Sequence, residues 1–238
     1  MVVFQAIFIV LLTATLGTLA ILSCLLLPGT SIFIRLARLW SWLILKAVGV
    51  RITVSSHPGI DPSRPGIYVA NHQSQLDIPA LVLAMPIDFR VVAKKELALV
   101  PVFGWALWLA GFVLVDRRDR DSAIRSLDRA ARRVRAGTSI VVFAEGTRSP
   151  DGRLQAFKKG GFVLALQAGV PIVPVSIRGG HALLPKGSLK VRRGTMEIVF
   201  GEPVETSAYT LETKDSLIDL VRRRVAAGLI PPNSLRSI

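Results

Sequence analysis

Residues 66–84 read GIYVANHQSQLDIPALVLA. Gly66–Ala70 is a short apolar run of strand character that breaks abruptly at Asn71, and Ile78–Ala84 is apolar again with Pro79 near its start, where a helix tolerates proline. Strand, loop and helix in this order form the repeating unit of α/β proteins. The loop carries His72 and Asp77 at the strand's carboxyl end, the edge at which α/β folds tend to place their sites. An imidazole titrates near neutrality, and a carboxylate that holds one ring nitrogen leaves the other free to take a proton from an alcohol. In that reading His72 is a base and Asp77 fixes its tautomer. On its own, H-x-x-x-x-D also admits a plainer reading, with Asn71 a turn residue, Asp77 a helix cap and His72 a loop filler. Ser74 is discounted as a nucleophile because no G-x-S-x-G elbow surrounds it.

Outward from this unit, short β-branched runs alternate with helical patterns. Strands are predicted over Arg51–Ser55, Gly66–Ala70, Phe89–Ala93, Ser139–Ala144, Ile172–Ile177 and Thr195–Phe200. Helices are predicted over Ile78–Ala84, Val102–Leu109, Asp121–Ala136, Lys159–Gln167 and Leu211–Ala226. No internal repeat and no low-complexity linker divides them, so 238 residues read as one α/β domain, residues 50–238, behind an N-terminal appendage, residues 1–49. Two arginine-rich stretches, Arg117–Arg135 and Arg222–Arg224, read as solvated outer faces of helices. In the first, Ile124, Leu127, Ala131 and Val134 recur at helical spacing, with attraction to an anionic membrane as a secondary role.

The appendage opens with 34 residues that carry no charged side chain, and Val2–Leu27 exceeds the roughly 20 residues needed to cross a bilayer core. A cleaved signal peptide would carry a basic residue before a shorter apolar stretch, so this run reads as a retained membrane anchor, with LLLPG at 25–29 as its stop. Ser31–Gly49 is apolar but admits Arg35, Arg38 and Lys46 around Trp40 and Trp42, which fits a helix lying in the interface or packed back on the first. A second crossing is the rival, at a cost of roughly 2.5 kcal/mol or more for each arginine placed centrally. All 30 Lys and Arg follow residue 34, against 16 Asp and Glu, for a net charge of +14, and the positive-inside rule places the bulk of the chain in the cytoplasm. Basic charge attracts anionic lipid and anionic substrates as readily as nucleic acid. Nucleic acid is set aside as a partner, since no finger, basic zipper or aromatic platform occurs beside the anchor. Cys24 is alone inside the apolar helix and only His57, His72 and His181 are present, so no metal cofactor is expected. His57 and His181, in Pro/Gly-rich loops, receive no role.

Four further blocks decide between the two readings of His72. GFVLVDRR (111–118), VVFAEGTRSPDG (141–152), AFKKGG (156–161) and GVPIVPVSI (169–177) follow in order. In FAEGTRS, Gly146 lets backbone approach a ligand closely, Thr147 adds a hydroxyl and Arg148 offers a planar fork suited to phosphate oxygens; a turn with a surface arginine is the alternative. Lys94, Lys95 and Lys158 are further phosphate candidates, because an ammonium serves as a point charge. VPIVPVSI reads as a buried strand whose Pro171 and Pro174 suggest an edge or a bulge.

With the H-x-x-x-x-D stretch, these blocks resemble the glycerophospholipid acyltransferase family from about residue 66 to about 204, most closely its bacterial 1-acyl-sn-glycerol-3-phosphate (lysophosphatidic acid) acyltransferases. The resemblance implies a mixed sheet flanked by helices, with His72 and Asp77 catalytic. It implies that Gly146, Thr147 and Arg148 bind the lysophosphatidate phosphate, that Glu145 shapes the site, and that Arg117 is a second acceptor contact whose alternative is the first arginine of a solvated helix. Among the lysines, Lys94 and Lys158 are the ones assigned to the substrate. The chain has Ala144 and Ala156 where the family usually or often has Pro. The implied activity moves a fatty acyl group from acyl-CoA or acyl-carrier protein, a cosubstrate, to the sn-2 hydroxyl of 1-acylglycerol 3-phosphate, making phosphatidate at the inner membrane. Two rivals are an acyltransferase for glycerol 3-phosphate or a lysolipid, and a non-catalytic basic membrane adaptor, which would need neither the His72/Asp77 pair nor residues 145–148.

Overall fold

The structure is a computed structural model that describes residues 2–27, 31–116 and 118–231. Its first element, α1 (Val2–Leu26), is a helix of 25 residues, and Val3–Leu26 is long and apolar enough to cross a membrane. Of the expected stop, Pro28 and Gly29 lie outside the described residues. The next helix, α2 (Ile32–Val48), runs back along α1: Gln5 Nε2 donates to Ala47 O at 3.2 Å and Trp40 Nε1 to Thr13 Oγ1 at 3.0 Å, which makes the two antiparallel neighbours. Arg38 donates to Met85 O at 3.0 Å, and the Lys46 ammonium lies 4.6 Å from the centre of the Trp42 ring. The segment is packed back on the first helix, as the sequence reading allows.

Seven strands form one sheet among the described residues: β1 (Val50–Ser56), β2 (Ile67–Ala70), β3 (Phe89–Lys94), β4 (Val113–Val115), β5 (Ser139–Phe143), β6 (Ile172–Arg178) and β7 (Gly194–Phe200), in the order β1-β7-β6-β2-β5-β3-β4. Only β6 and β7 pair antiparallel, so the sheet is mixed, as the resemblance implies. The short strand β4 is an addition to the sequence reading; three residues are too few to show a period. At β6 one expectation is corrected, since this strand lies inside the sheet between β7 and β2 and not at an edge. The bulge is present. From Ile172 to Val175 the strand advances three residues while the neighbouring chain covers four, from Val204 to Phe200. Ile172 N donates to Val204 O, so the N–H that Pro174 lacks falls on the same side, at the bulge and away from β2.

Helices cover both faces. On one lie α1, α2, α3 (Asp77–Ala84) and α4 (Phe103–Leu109); on the other, α5 (Arg120–Arg135) and α6 (Gly160–Ala168). A single turn, α7 (Gly180–Leu183), follows β6, and α8 (Lys214–Gly228) completes the second face. Alternation divides the central strands between two cores: Tyr68, Ala70, Val141 and Phe143 pack with α2 and α3, whereas Ile67, Val69, Ile140 and Val142 pack with α5, α6 and α8. All four residues of β2 are buried, which is why this strand is apolar throughout. Along α5, Ala130, Ala131 and Val134 are buried and the arginines from Arg125 to Arg135 are exposed, the solvated face expected of it; Ile124 departs from the pattern and is exposed.

This wiring opens a crevice. From β2 the chain passes to α3 on the first face, and from its neighbour β5 it passes to α6 on the second. Parallel neighbours whose connections leave to opposite faces separate at their carboxyl ends, and ligands bind in the gap. The loops after β2 and β5 border that gap.

Candidate active site

Asn71 continues the sheet beyond β2 with its side chain: Nδ2 donates to Ile177 O at 2.9 Å and Oδ1 accepts from Ile177 N at 2.7 Å. The backbone of the next residue is held on both sides, since His72 N donates to Glu145 Oε1 at 2.8 Å and His72 O accepts from Ser149 N at 2.8 Å. The His72 ring stacks on Phe143 with centroids 4.0 Å apart and planes 25° from parallel. Its Nδ1 lies 2.7 Å from Asp77 Oδ2, and the side chain is 16% exposed. Nε2 is thus the ring atom left for a ligand.

Asp77 does not serve as the cap of the helix it begins. Its side chain is fully buried, and Oδ2 also accepts from Gln73 N at 2.7 Å and Ser74 N at 2.8 Å. All three donors belong to the preceding loop and the ring, none to the helix that Asp77 begins, so the carboxylate is an orienting group and not a cap. The other oxygen, Oδ1, is buried without a hydrogen bond and faces Gly180, where an added Cβ would come within 2.7 Å. Ser74 Oγ donates to Leu184 O at 2.9 Å and accepts from Leu76 N at 3.2 Å, which ties the loop to the end of α7.

The loop after β5 forms the other wall. Ala144 N donates to Ala70 O at 3.0 Å, a ladder bond that the family's usual proline could not make. Glu145 is 2% exposed and points inward: Oε1 accepts from His72 N, Oε2 from Gln155 N at 3.2 Å, and burial raises its carboxyl pKa. The shaping role is therefore a tie between the two walls. Gly146 turns the chain at φ +73, the left-handed region, and Lys158 passes above it with Cγ 3.3 Å from where a Cβ would stand. Thr147 is exposed and Arg148 half-buried; Arg148 makes no hydrogen bond or ion pair within the described residues. Lys158 N donates to Ala144 O at 2.7 Å, and its exposed ammonium has no partner among the described residues.

His72, Asp77, Gly146, Thr147, Arg148 and Lys158 are thus brought to one crevice, with Glu145 beneath. Lys94 ends β3, one strand beyond β5, and is ion-paired to Glu96 at 2.9 Å; Lys95 lies 3.5 Å from Asp116. Arg117 lies outside the described residues. Three contributors escape the sequence reading. Phe143 looks like any strand residue, Gly180 is one of two glycines in a loop, and Lys186 is a single lysine in a Pro-Lys-Gly turn whose Nζ reaches 3.4 Å from Thr147 Oγ1. An apolar cavity between α1, α2, α3 and α4, lined by Leu16, Phe33, Trp40, Val82 and Phe112, extends to Ile78 beside Asp77. Among the described residues no three His, Cys, Asp or Glu side chains converge to hold a metal ion.

The acyltransferase family model matches residues 51–178, the span from β1 through β6 that contains every residue of this crevice except Gly180 and Lys186. The chain belongs to the acyltransferase family. The 1-acyl-sn-glycerol-3-phosphate acyltransferase of Chlamydomonas reinhardtii is 37% identical over 172 residues, 71% of this chain, and the chain spans only half of that relative's length. The enzyme of the same name from Limnanthes alba is 34% identical over 226 residues, which cover 92% of this chain and 78% of the relative. The crystal structure of the 1-acyl-sn-glycerophosphate (LPA) acyltransferase PlsC from Thermotoga maritima superimposes with a TM-score of 0.82 at 25% identity, covering 100% of this acyltransferase and 96% of that chain.

Proposed function

We propose that this acyltransferase transfers a fatty acyl group from an acyl thioester, acyl-CoA or acyl-carrier protein, to the sn-2 hydroxyl of 1-acylglycerol 3-phosphate, giving phosphatidate. The observation that carries the reading is the 2.7 Å contact of His72 Nδ1 with a buried carboxylate, set beside the Gly146–Arg148 loop. Nε2 takes the proton of the sn-2 hydroxyl as that oxygen attacks the thioester carbonyl; the tetrahedral adduct then expels the thiolate, which takes the proton from the imidazolium. The acyl group moves in one transfer, without an acyl-enzyme. Asp77 stabilises the cation that forms, and the Phe143 face below the ring favours it further. Gly146, Thr147, Arg148 and Lys158 hold the phosphate monoester, whose nearly two charges suit an arginine fork. The apolar cavity reaching Ile78 supports an acyl substrate.

Residues 1–49 serve as membrane-anchoring helices and residues 50–238 as the acyltransferase domain, at the inner membrane with the domain on the cytoplasmic side. The test incubates purified protein in membranes with labelled acyl donor and a panel of acceptors. Lysophosphatidate is expected to give labelled phosphatidate, and His72→Ala to lower turnover at least about 100-fold while remaining folded and membrane-bound. Equal acylation of lysophosphatidylcholine or glycerol 3-phosphate overturns the acceptor assignment.

A further inference from the structure

Around Thr147 the described side chains are cationic and unmatched. Lys158 crosses above Gly146, Arg148 has no partner among the described residues, and Lys186 reaches Thr147 Oγ1 at 3.4 Å from a turn 39 residues on in the chain. The nearby carboxylates are already committed: Glu145 to His72 N and Gln155 N, Asp77 to the 72–74 loop, and Asp151 to Ser149 Oγ and Arg153 N. Lys94, which the sequence places among the phosphate ligands, is matched by Glu96.

Lys186 stands beyond the reach of a chance surface lysine because its turn is anchored. Leu184 O accepts from Ser74 Oγ at 2.9 Å, Leu184 N donates to Gly180 O at 2.9 Å, and Gly180 packs on Asp77. The turn that presents Lys186 therefore rests on the same loop that carries His72, only two residues past its anchor at Leu184. A hydroxyl is a weak partner for an ammonium, and two further cations close by leave the cluster short of negative charge.

We propose that Lys186 is an acceptor-specificity residue, the cation that completes the phosphate-monoester site from the turn after α7, while that anchored turn keeps its charge fixed relative to the loop that carries His72. This rests on the acceptor assignment above and names a ligand that the family match, ending at residue 178, does not include. A terminal phosphate monoester would displace Thr147 as the ammonium's partner; a zwitterionic or neutral headgroup would supply less charge to the same place.

The experiment measures equilibrium binding of radiolabelled lysophosphatidate to the full chain in detergent micelles without acyl donor, so that no turnover is needed. Lys186→Met keeps length and removes charge at an exposed position, and is expected to raise Kd about tenfold, with Lys186→Arg close to wild type. Lys190→Met, on the same loop without contact to residues 145–148, is the control and should leave Kd within about twofold. Unchanged Kd in Lys186→Met, an equal rise in Lys190→Met, or no binding by the wild type overturns the inference. Acyl transfer is scored separately: a wild type that binds through Lys186 but makes no phosphatidate overturns the function and leaves this site standing, whereas full transfer with a Lys186-independent Kd does the reverse.

Discussion

The loops after β2 and β5 meet at one edge of the sheet and are built on opposite plans. In residues 71–77 the side chains of Asn71, Ser74 and Asp77 all bond to backbone, at Ile177, at Leu184 and within the loop, so the segment's supports are satisfied in advance. In residues 145–148 only Glu145 turns inward; Thr147 and Arg148 are left with Lys158 and Lys186 for company. A base must keep its ring within tenths of an ångström of a productive pose, which demands that its supports be satisfied beforehand. A phosphate site must keep its charges unmatched until the ligand arrives. Damage to the first loop should therefore appear in kcat and damage to the second in KM.

The sharpest way to break this contrast is Asp77→Asn. If the amide oxygen takes the place of Oδ2, the NH2 is buried against Gly180 without an acceptor; if it flips, the NH2 meets two backbone donors and forces the wrong tautomer on His72. Steady-state assays should find kcat lowered at least about 100-fold with acceptor KM nearly unchanged. A rise in KM alone would refute the assignment of this loop to chemistry. Gly180→Ala comes next. Its Cβ would stand 2.7 Å from Asp77 Oδ1, with Ser74 Cβ at 3.1 Å and Met196 Cε at 3.3 Å, in a buried site, so the carboxylate must shift. The expected result is a fall in kcat of about tenfold and a loss of about 1–3 kcal/mol in denaturant unfolding. Wild-type kcat would mean that Oδ1 is not held from that side.

On the second loop, Arg148→Ala is expected to raise the KM for lysophosphatidate about tenfold with kcat changed less, and Arg148→Lys to recover only part of it because an ammonium lacks the fork. An unchanged KM would remove Arg148 from the phosphate site. The smallest effect is one of ionic strength. Raising salt from about 0.05 to about 0.5 M should raise the acceptor KM about two- to threefold, since exposed charges are screened, and should leave kcat alone because the His72–Asp77 contact is buried. A fall in kcat with salt would blur the two plans into one.

What the sequence disclosed follows the same division. The His72–Asp77 pair is legible because both residues sit in one loop, and β2 and α3 flank it with patterns that local physics fixes. Residues 145–148 are legible as a turn at the strand's exit that carries a hydroxyl and an arginine. Lys186 and Gly180 are not, because their roles come from contacts across 39 and 103 residues of chain, and neither lies in a pattern that marks it. The inner position of β6 was masked by its prolines, which signal an edge unless a bulge in the neighbouring strand absorbs them. Lys94 carries a contact that the sequence reading does not include, an exposed ion pair with Glu96 two residues on.

The antiparallel tie between α1 and α2 also has a mechanical meaning. Gln5 grips Ala47, Trp40 grips Thr13, Arg38 grips the end of α3 at Met85, and α3 begins at Asp77. An apolar helix joined to its domain by a floppy tether would let the reacting imidazole wander toward and away from the lipid; one clamped along its length behaves as a mounting bracket. If α1 enters a bilayer as proposed, His72 inherits its depth and tilt, and the height at which the proposed acceptor would present its hydroxyl is set by side-chain contacts and not by linker length.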